Sequence, residues 1–142
     1  MHLDQENLFS DAQAITADGA STNIINLGQP GTVPHAPAPQ KQDIGGSNGL
    51  NVLVQVVEDF VGGTSLTVRM ERDDTSAFSS PDIVAESATI PVASLKEGKI
   101  LPLTIVPPGV TGQYLRLFYD VAGSPSAGKV TAGITTGLQT NV

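Results

Sequence analysis

The stretch that decides the fold runs Gln113-Tyr114-Leu115-Arg116-Leu117-Phe118-Tyr119-Asp120-Val121-Ala122-Gly123-Ser124-Pro125-Ser126-Ala127-Gly128-Lys129-Val130-Thr131-Ala132-Gly133-Ile134. Successive side chains of an extended strand point to opposite faces. Leu115, Leu117, Tyr119 and Val121 therefore share one face, and Arg116, Phe118 and Asp120 share the other. Gly123 to Gly128 interrupts the run, because glycine and proline punctuate strands. Val130, Ala132 and Ile134 then resume the alternation, with Thr131 and Thr135 between. The reading is two strands joined by a turn.

The same grammar extends outward from this pair. Val52, Val54 and Val56 alternate with Leu53, Gln55 and Val57, as in a strand covered on both faces. After the Gly62-Gly63 turn, Leu66, Val68 and Met70 alternate with Thr67, Arg69 and Glu71, as in a half-exposed antiparallel strand. Further strands are expected over Ala12–Ala17, Thr22–Leu27, Ile83–Ile90 and Ile100–Val106, the last an edge or bulged strand because of Pro102. Only Val92–Gly98 reads as a helical turn. About eight strands between Gly/Pro turns predict an all-β protein, an antiparallel β-sandwich of jelly-roll type. Two segments stand outside that pattern. Residues 1–11 read as an extended N-terminal arm, with Leu3, Leu8 and Phe9 apolar among polar neighbours, ahead of a single domain over 12–142. Gly28–Gly49 holds five Gly and four Pro and reads as a long loop, polyproline-like over Pro34–Pro39.

Composition narrows the function. The formal net charge is −7 and the pI near 4.5, with seven scattered basic residues, so a nucleic-acid partner is not expected. Charged residues make up 15% of the chain, against roughly 25% in an average soluble domain. The chain has no Cys, which removes thiolate chemistry. Met1 to Glu6 is polar and acidic, unlike a secretory leader, and no apolar run approaches the ~20 residues of a membrane span.

Candidate chemistry is sparse. Gly45-Gly46-Ser47-Asn48-Gly49 matches the Gly-x-Ser-x-Gly nucleophile pattern, but a Pro-rich loop precedes it and a strand follows. Both histidines, His2 and His35, lie upstream of it. Asp4, Glu6 and Asp11, or Asp73, Asp74 and Asp82, offer oxygens but no EF-hand spacing. Glu58 and Asp59 are adjacent and point to opposite faces, which rules them out alone as a glycosidase pair. No cofactor, no metal and no enzymatic activity are expected. Phe118, beside Arg116, is either interface material or ordinary core.

Several segments carry a resemblance to a known family. Leu8-Phe9-Ser10-Asp11-Ala12-Gln13-Ala14-Ile15-Thr16, Ser21 to Gly28, Gly49 to Val56 and Gln113 to Tyr119 together resemble the cement (decoration) proteins of tailed-bacteriophage heads, typified by one from a Bordetella phage. The resemblance implies a jelly-roll homodimer on the outer capsid surface of the virion. There it would staple neighbouring copies of an HK97-like major capsid protein, having been made in the host cytoplasm. It supplies no catalytic residues. The candidate capsid or dimer contacts are Leu3, Leu8, Phe9, Pro34, Pro37, Arg116 and Phe118. The competing reading is a carbohydrate-binding jelly-roll module of a phage adhesin or glycosidase, which needs an aromatic or Asn/Asp-lined concave face. A cupin-like enzyme is a third, disfavoured by having only two His.

Overall fold

A computed structural model describes residues 3–40, 42–46 and 48–138. Its organising strand is β9 (Tyr114–Ala122), which pairs along its whole length with β5 (Ser65–Asp73), from Ser65 opposite Ala122 to Asp73 opposite Tyr114. The register makes Leu66, Val68 and Met70 share an inner face with Leu115, Leu117, Tyr119 and Val121, all buried. β10 (Pro125–Thr135) leaves this sheet after the Gly123-Ser124 turn. It pairs antiparallel with β4 (Leu50–Gly62), whose Val52, Val54 and Val56 are fully buried.

The remaining strands flank these two pairs. β1 (Leu8–Ala14) joins the free side of β10, and β8 (Ile105–Val106) the free side of β4. β2 (Gly19–Ala20) and β3 (Ile25–Asn26) both lie against β9, while β6 (Asp82–Glu86) and β7 (Ile90–Pro91) both lie against β5. Counting each of those interrupted edges once leaves eight lanes. In chain order one sheet reads 1-8-3-6 and the other 2-7-4-5, the jelly-roll arrangement of two interleaved Greek keys.

A hydrogen-bonded chain ties the sheets together inside the core. Tyr119 on β9 is fully buried, and its hydroxyl lies 2.8 Å from Ser10 Oγ on β1. Ser10 donates its only hydrogen to Gln13 Oε1 at 2.7 Å, so Tyr119 is the donor to Ser10. Gln13 Nε2 in turn donates to the Ala20 carbonyl at 2.9 Å. Burial pushes the Tyr119 phenol up to about 12, and the Ser10 hydroxyl, which can turn toward a phenolate, opposes that rise.

Several expectations need correction. The boundary expected after Asp11 falls inside β1, which begins at Leu8, and Phe9 is wholly buried in the main core. The cause is a β-bulge. Register shifts flank Ser10, and Ala12 has φ 44°, so Phe9 and Ser10 are buried in succession without alternation. The strand expected over Ala12–Ala17 ends at Ala14, and that over Thr22–Leu27 shrinks to β3. The strand expected over Ile83–Ile90 breaks at Ser87, whose side chain accepts from Val68 N and whose N–H donates to Val68 O. The strand over Ile100–Val106 is regular only at β8. The segment before it still tracks β4 through Val56 N to Lys99 O, Leu101 N to Val54 O and Val52 N to Thr104 O. Two short 3-10 turns are present among the described residues, Gln5–Asn7 and Val92–Ser94.

Candidate contact end of the sandwich

The two ends of the sandwich differ. At one, β4 turns into β5 across Gly62-Gly63 and β9 into β10 across Gly123-Ser124, both tight. At the other end lie the long connections: residues 27–49 between β3 and β4, 74–81 between β5 and β6, and 107–113 between β8 and β9. The start of β1 lies there too, since Leu8 pairs with Gly133 near the end of β10.

The 27–49 connection is built in two parts. Its base is fastened: Asp43 bridges Thr111 and accepts from Gly109 N at 2.8 Å. Gly45 is packed so tightly that an added Cβ would come within 2.3 Å of the Pro107 carbonyl oxygen. Its outer part, residues 31–40, is a finger closed at the root by Gln40 N donating to Gly31 O at 3.0 Å. Ala36 N donates to Val33 O near the tip. The finger contains no Asp, Glu, Lys or Arg. Its prolines Pro34 and Pro37 are exposed, as is Val33, and three fixed φ angles (Pro34, Pro37, Pro39) stiffen it.

The 74–81 connection holds a second feature. Asp73 gathers it by accepting from Thr75 N at 2.9 Å and Ser80 N at 3.1 Å, and these bonds hold the Asp73 carboxyl below its ordinary range. The turn forces Phe78 to φ 47°, a strained conformation for an aromatic residue. Its ring is buried under the Arg116 guanidinium, 4.1 Å from the ring centroid, and the Phe118 ring lies 5.9 Å away. Arg116 donates from Nε to Glu71 Oε2 at 2.7 Å, directly across the β5–β9 ladder. The neighbouring Arg69 pairs with Glu86 and Asp120, which raises its guanidinium further above its ordinary value.

The seven candidate contact residues are therefore not brought together as a set. Pro34 and Pro37 stand on the exposed finger. Leu8 is half-buried at the start of β1. Leu3 is folded back onto the outer face of the β1-β10-β4-β8 sheet, where an added Cβ on Gly133 would lie 3.1 Å from Leu3 Cδ2. Gly133 pairs with the buried Leu53, so the arm sits against the outward side of β4. Phe9 is core and unavailable to any partner. Arg116 is half-buried with its charge already matched, and Phe118 half-buried beside it.

Three of the carboxylates weighed as metal ligands, Asp4, Asp73 and Asp82, have other partners. Asp4 caps the first 3-10 turn and Asp82 pairs with Arg72. Among the described residues no group of three His, Cys, Asp or Glu is placed to share a metal ion, and no helix is long and apolar enough to cross a membrane. Ser47 and His2 lie outside the described residues. Sequence reasoning missed the Phe78–Arg116 stack. Its one signal was Phe78 itself, the only large apolar residue between Asp73 and Pro81.

Topology and loop placement define an eight-lane jelly roll whose distinctive surfaces are loops gathered at one end. A family model described as Bbp16 matches residues 9–134, from the buried start of β1 almost to the end of β10. The chain belongs to that family, a phage protein family typified by a Bordetella phage protein. No curated protein matches it.

Proposed function

We propose that this protein is a capsid cement protein that binds the outer surface of a phage head and stabilises contacts between HK97-like major capsid protein subunits. The observation that carries the proposal is the uncharged, proline-stiffened finger at residues 31–40, on a jelly roll of a phage family. A finger without charges avoids desolvating ions on docking, and its prolines reduce the entropy lost when it is held. Binding to the assembled shell and not to free subunits stabilises the shell by mass action. Many copies across a symmetric surface make modest individual contacts sufficient. A homodimer suits the two-fold positions of such a shell. The contact set then comprises Pro34 and Pro37 on the finger, Leu3 and Leu8 at the same end, and Phe118 at the edge of the stack. Arg116 holds that stack through its guanidinium over the Phe78 ring.

The test compares heads assembled with and without the protein under heat or osmotic shock. Bound protein and higher survival are expected. Equal survival with nothing bound refutes the proposal. Light scattering of the free protein at tens of micromolar is expected to give twice the 14.6 kDa chain mass.

A further inference from the structure

We propose that the cleft at the root of the finger receives an extended, uncharged polypeptide segment of the capsid partner; this rests on the proposed cement function and names its docking site. The cleft has a volume of about 530 Å³, in the range of ligand sites. It lies between the finger's base, the 111–113 turn and the end of β5, and its polar walls are Gln29, Gln40, Gln42 and Gln113 with Arg72 and Asp74.

Charge excludes an anionic ligand. The Arg72 guanidinium is engaged by the Asp82 carboxylate and by the Thr111 carbonyl. Beside the Asp74 carboxylate, what remains is the side-chain amides of Gln40 and Gln42, with the Gln29 and Gln113 amides already linked to each other and Gln113 also donating to Tyr114 Oη. A free amide offers donor and acceptor together, the pattern an extended peptide backbone presents in return. Pro30 and Pro39 stand at the two sides of the finger's root, so these walls are formed before anything binds.

Gln42 gives the sharper indication. It stands between this cleft and a smaller hollow of about 290 Å³ lined also by Leu27, Asp43 and Ile44. Its Oε1 is buried without a hydrogen-bond partner among the described residues. A buried polar atom left unpaired weakens the free fold, and turning the Gln42 amide into the cleft toward an incoming N–H would remove the penalty. No group among the described residues uses this oxygen, whereas a bound main chain would. A sugar would also satisfy it, but none of the eleven lining residues is aromatic, so the ring face of a sugar has no platform.

The experiment measures co-sedimentation with heads lacking the protein, alongside thermal unfolding, for the parent, Gln42→Leu and Gln40→Ala. Gln42→Leu removes the unpaired atom, so its Tm is expected to equal or exceed the parent's while its affinity for heads falls about tenfold. Gln40 is exposed and, among the described residues, is bonded through its backbone N–H alone. Truncating it is expected to leave Tm unchanged and weaken binding about threefold, and it decides the matter if Gln42→Leu fails to fold. Parent-like binding by both variants overturns the inference while leaving the cement function standing. Absence of binding by the parent removes both. Displacement of bound protein by maltotriose at about 10 mM reassigns the cleft to sugar and overturns the peptide reading.

Discussion

Replacing Arg116 by Leu is expected to destabilise the protein by about 3 kcal/mol, and replacing Glu71 as well is expected to restore most of that. The β5–β9 register sets the two residues directly opposite, and both Nε and Nη2 of Arg116 approach Glu71 Oε2 at 2.7 Å. Their side chains are only 16% and 9% exposed, so solvent screens the pair weakly. Truncating Arg116 alone leaves the Glu71 carboxylate without its hydrogen-bonded partner, a change worth about 3–5 kcal/mol for fully buried pairs. The residual exposure and the nearby Arg69 reduce the loss of the pair to about 2 kcal/mol, and loss of the stack on Phe78 adds about 0.5–1 kcal/mol. A 3 kcal/mol loss corresponds to a Tm drop of roughly 10 °C in a domain of this size. Arg116→Leu/Glu71→Leu removes both charges together and is expected to fall within about 1 kcal/mol of the parent. Urea unfolding of the four chains in this cycle isolates the coupling. A loss below about 1 kcal/mol for Arg116→Leu, or additive single effects, refutes the reasoning. The doubly substituted chain is also expected to retain head binding, because Arg116 acts on the stack and not on the partner.

Three further outcomes follow from the geometry. Raising the pH is expected to destabilise the parent relative to Tyr119→Phe: the native phenol at about 12 keeps its proton while the unfolded one at 10.0 releases it, so stability is intact below about pH 10 and falls through pH 12. The difference reaches about 1.4 kcal/mol at pH 11, read by urea unfolding at stepped pH, and parallel pH dependences refute the buried-phenol assignment. Phe9→Ala is expected to cost about 3–5 kcal/mol by the same assay, against about 1 kcal/mol or less for Leu3→Ala; equal small losses refute the placement of Phe9 in the core. Replacing residues 32–39 by Gly-Gly, between ends already joined at Gly31 and Gln40, is expected to leave the circular dichroism and Tm unchanged and to abolish attachment to heads.

The central strands were legible because each buries one face along its length. The alternation of Leu115, Leu117, Tyr119 and Val121 against Leu66, Val68 and Met70 needs only the period of two, and the structure pairs those runs residue for residue. The edges were less legible, since an edge strand is free to bulge. Leu8 to Ala14 hides its strand because the bulge at Ala12 buries Phe9 and Ser10 in succession. Leu101 and Leu103 alternate correctly about the exposed Pro102, but their segment follows β4 through irregular bonds. The Arg116 face could not be read locally at all. Whether that charge met a partner or solvent depended on a residue 45 positions away and on Phe78, held by the Asp73 turn.

The asymmetry of the sandwich links the fold to the proposed role. The jelly-roll path sends every lane from one end of the sandwich to the other, so insertions at one end leave the tight turns at the other undisturbed. Here the finger, the amide-lined cleft, the Phe78 turn and the folded-back Leu3 all occur where the connections are long. The opposite end closes with Gly62-Gly63 and Gly123-Ser124, and the connection over residues 92–98 there is bonded back onto the end of β4 through Phe60 N to Leu95 O and Glu97 N to Asp59 Oδ1. A rigid body with one elaborated end binds in a single orientation. The Asp43 and Gly45 anchors against residues 107–111 make that end continuous with the core. Load taken up by the finger would pass through the base of the connection into β4 and β9, both of which bury one face in the core. Cutting the Asp43 anchor with Asp43→Ala should therefore weaken head stabilisation more than head binding, because the finger would still dock but would no longer be braced against the core. Equal losses in the two measurements would show that bracing plays no part.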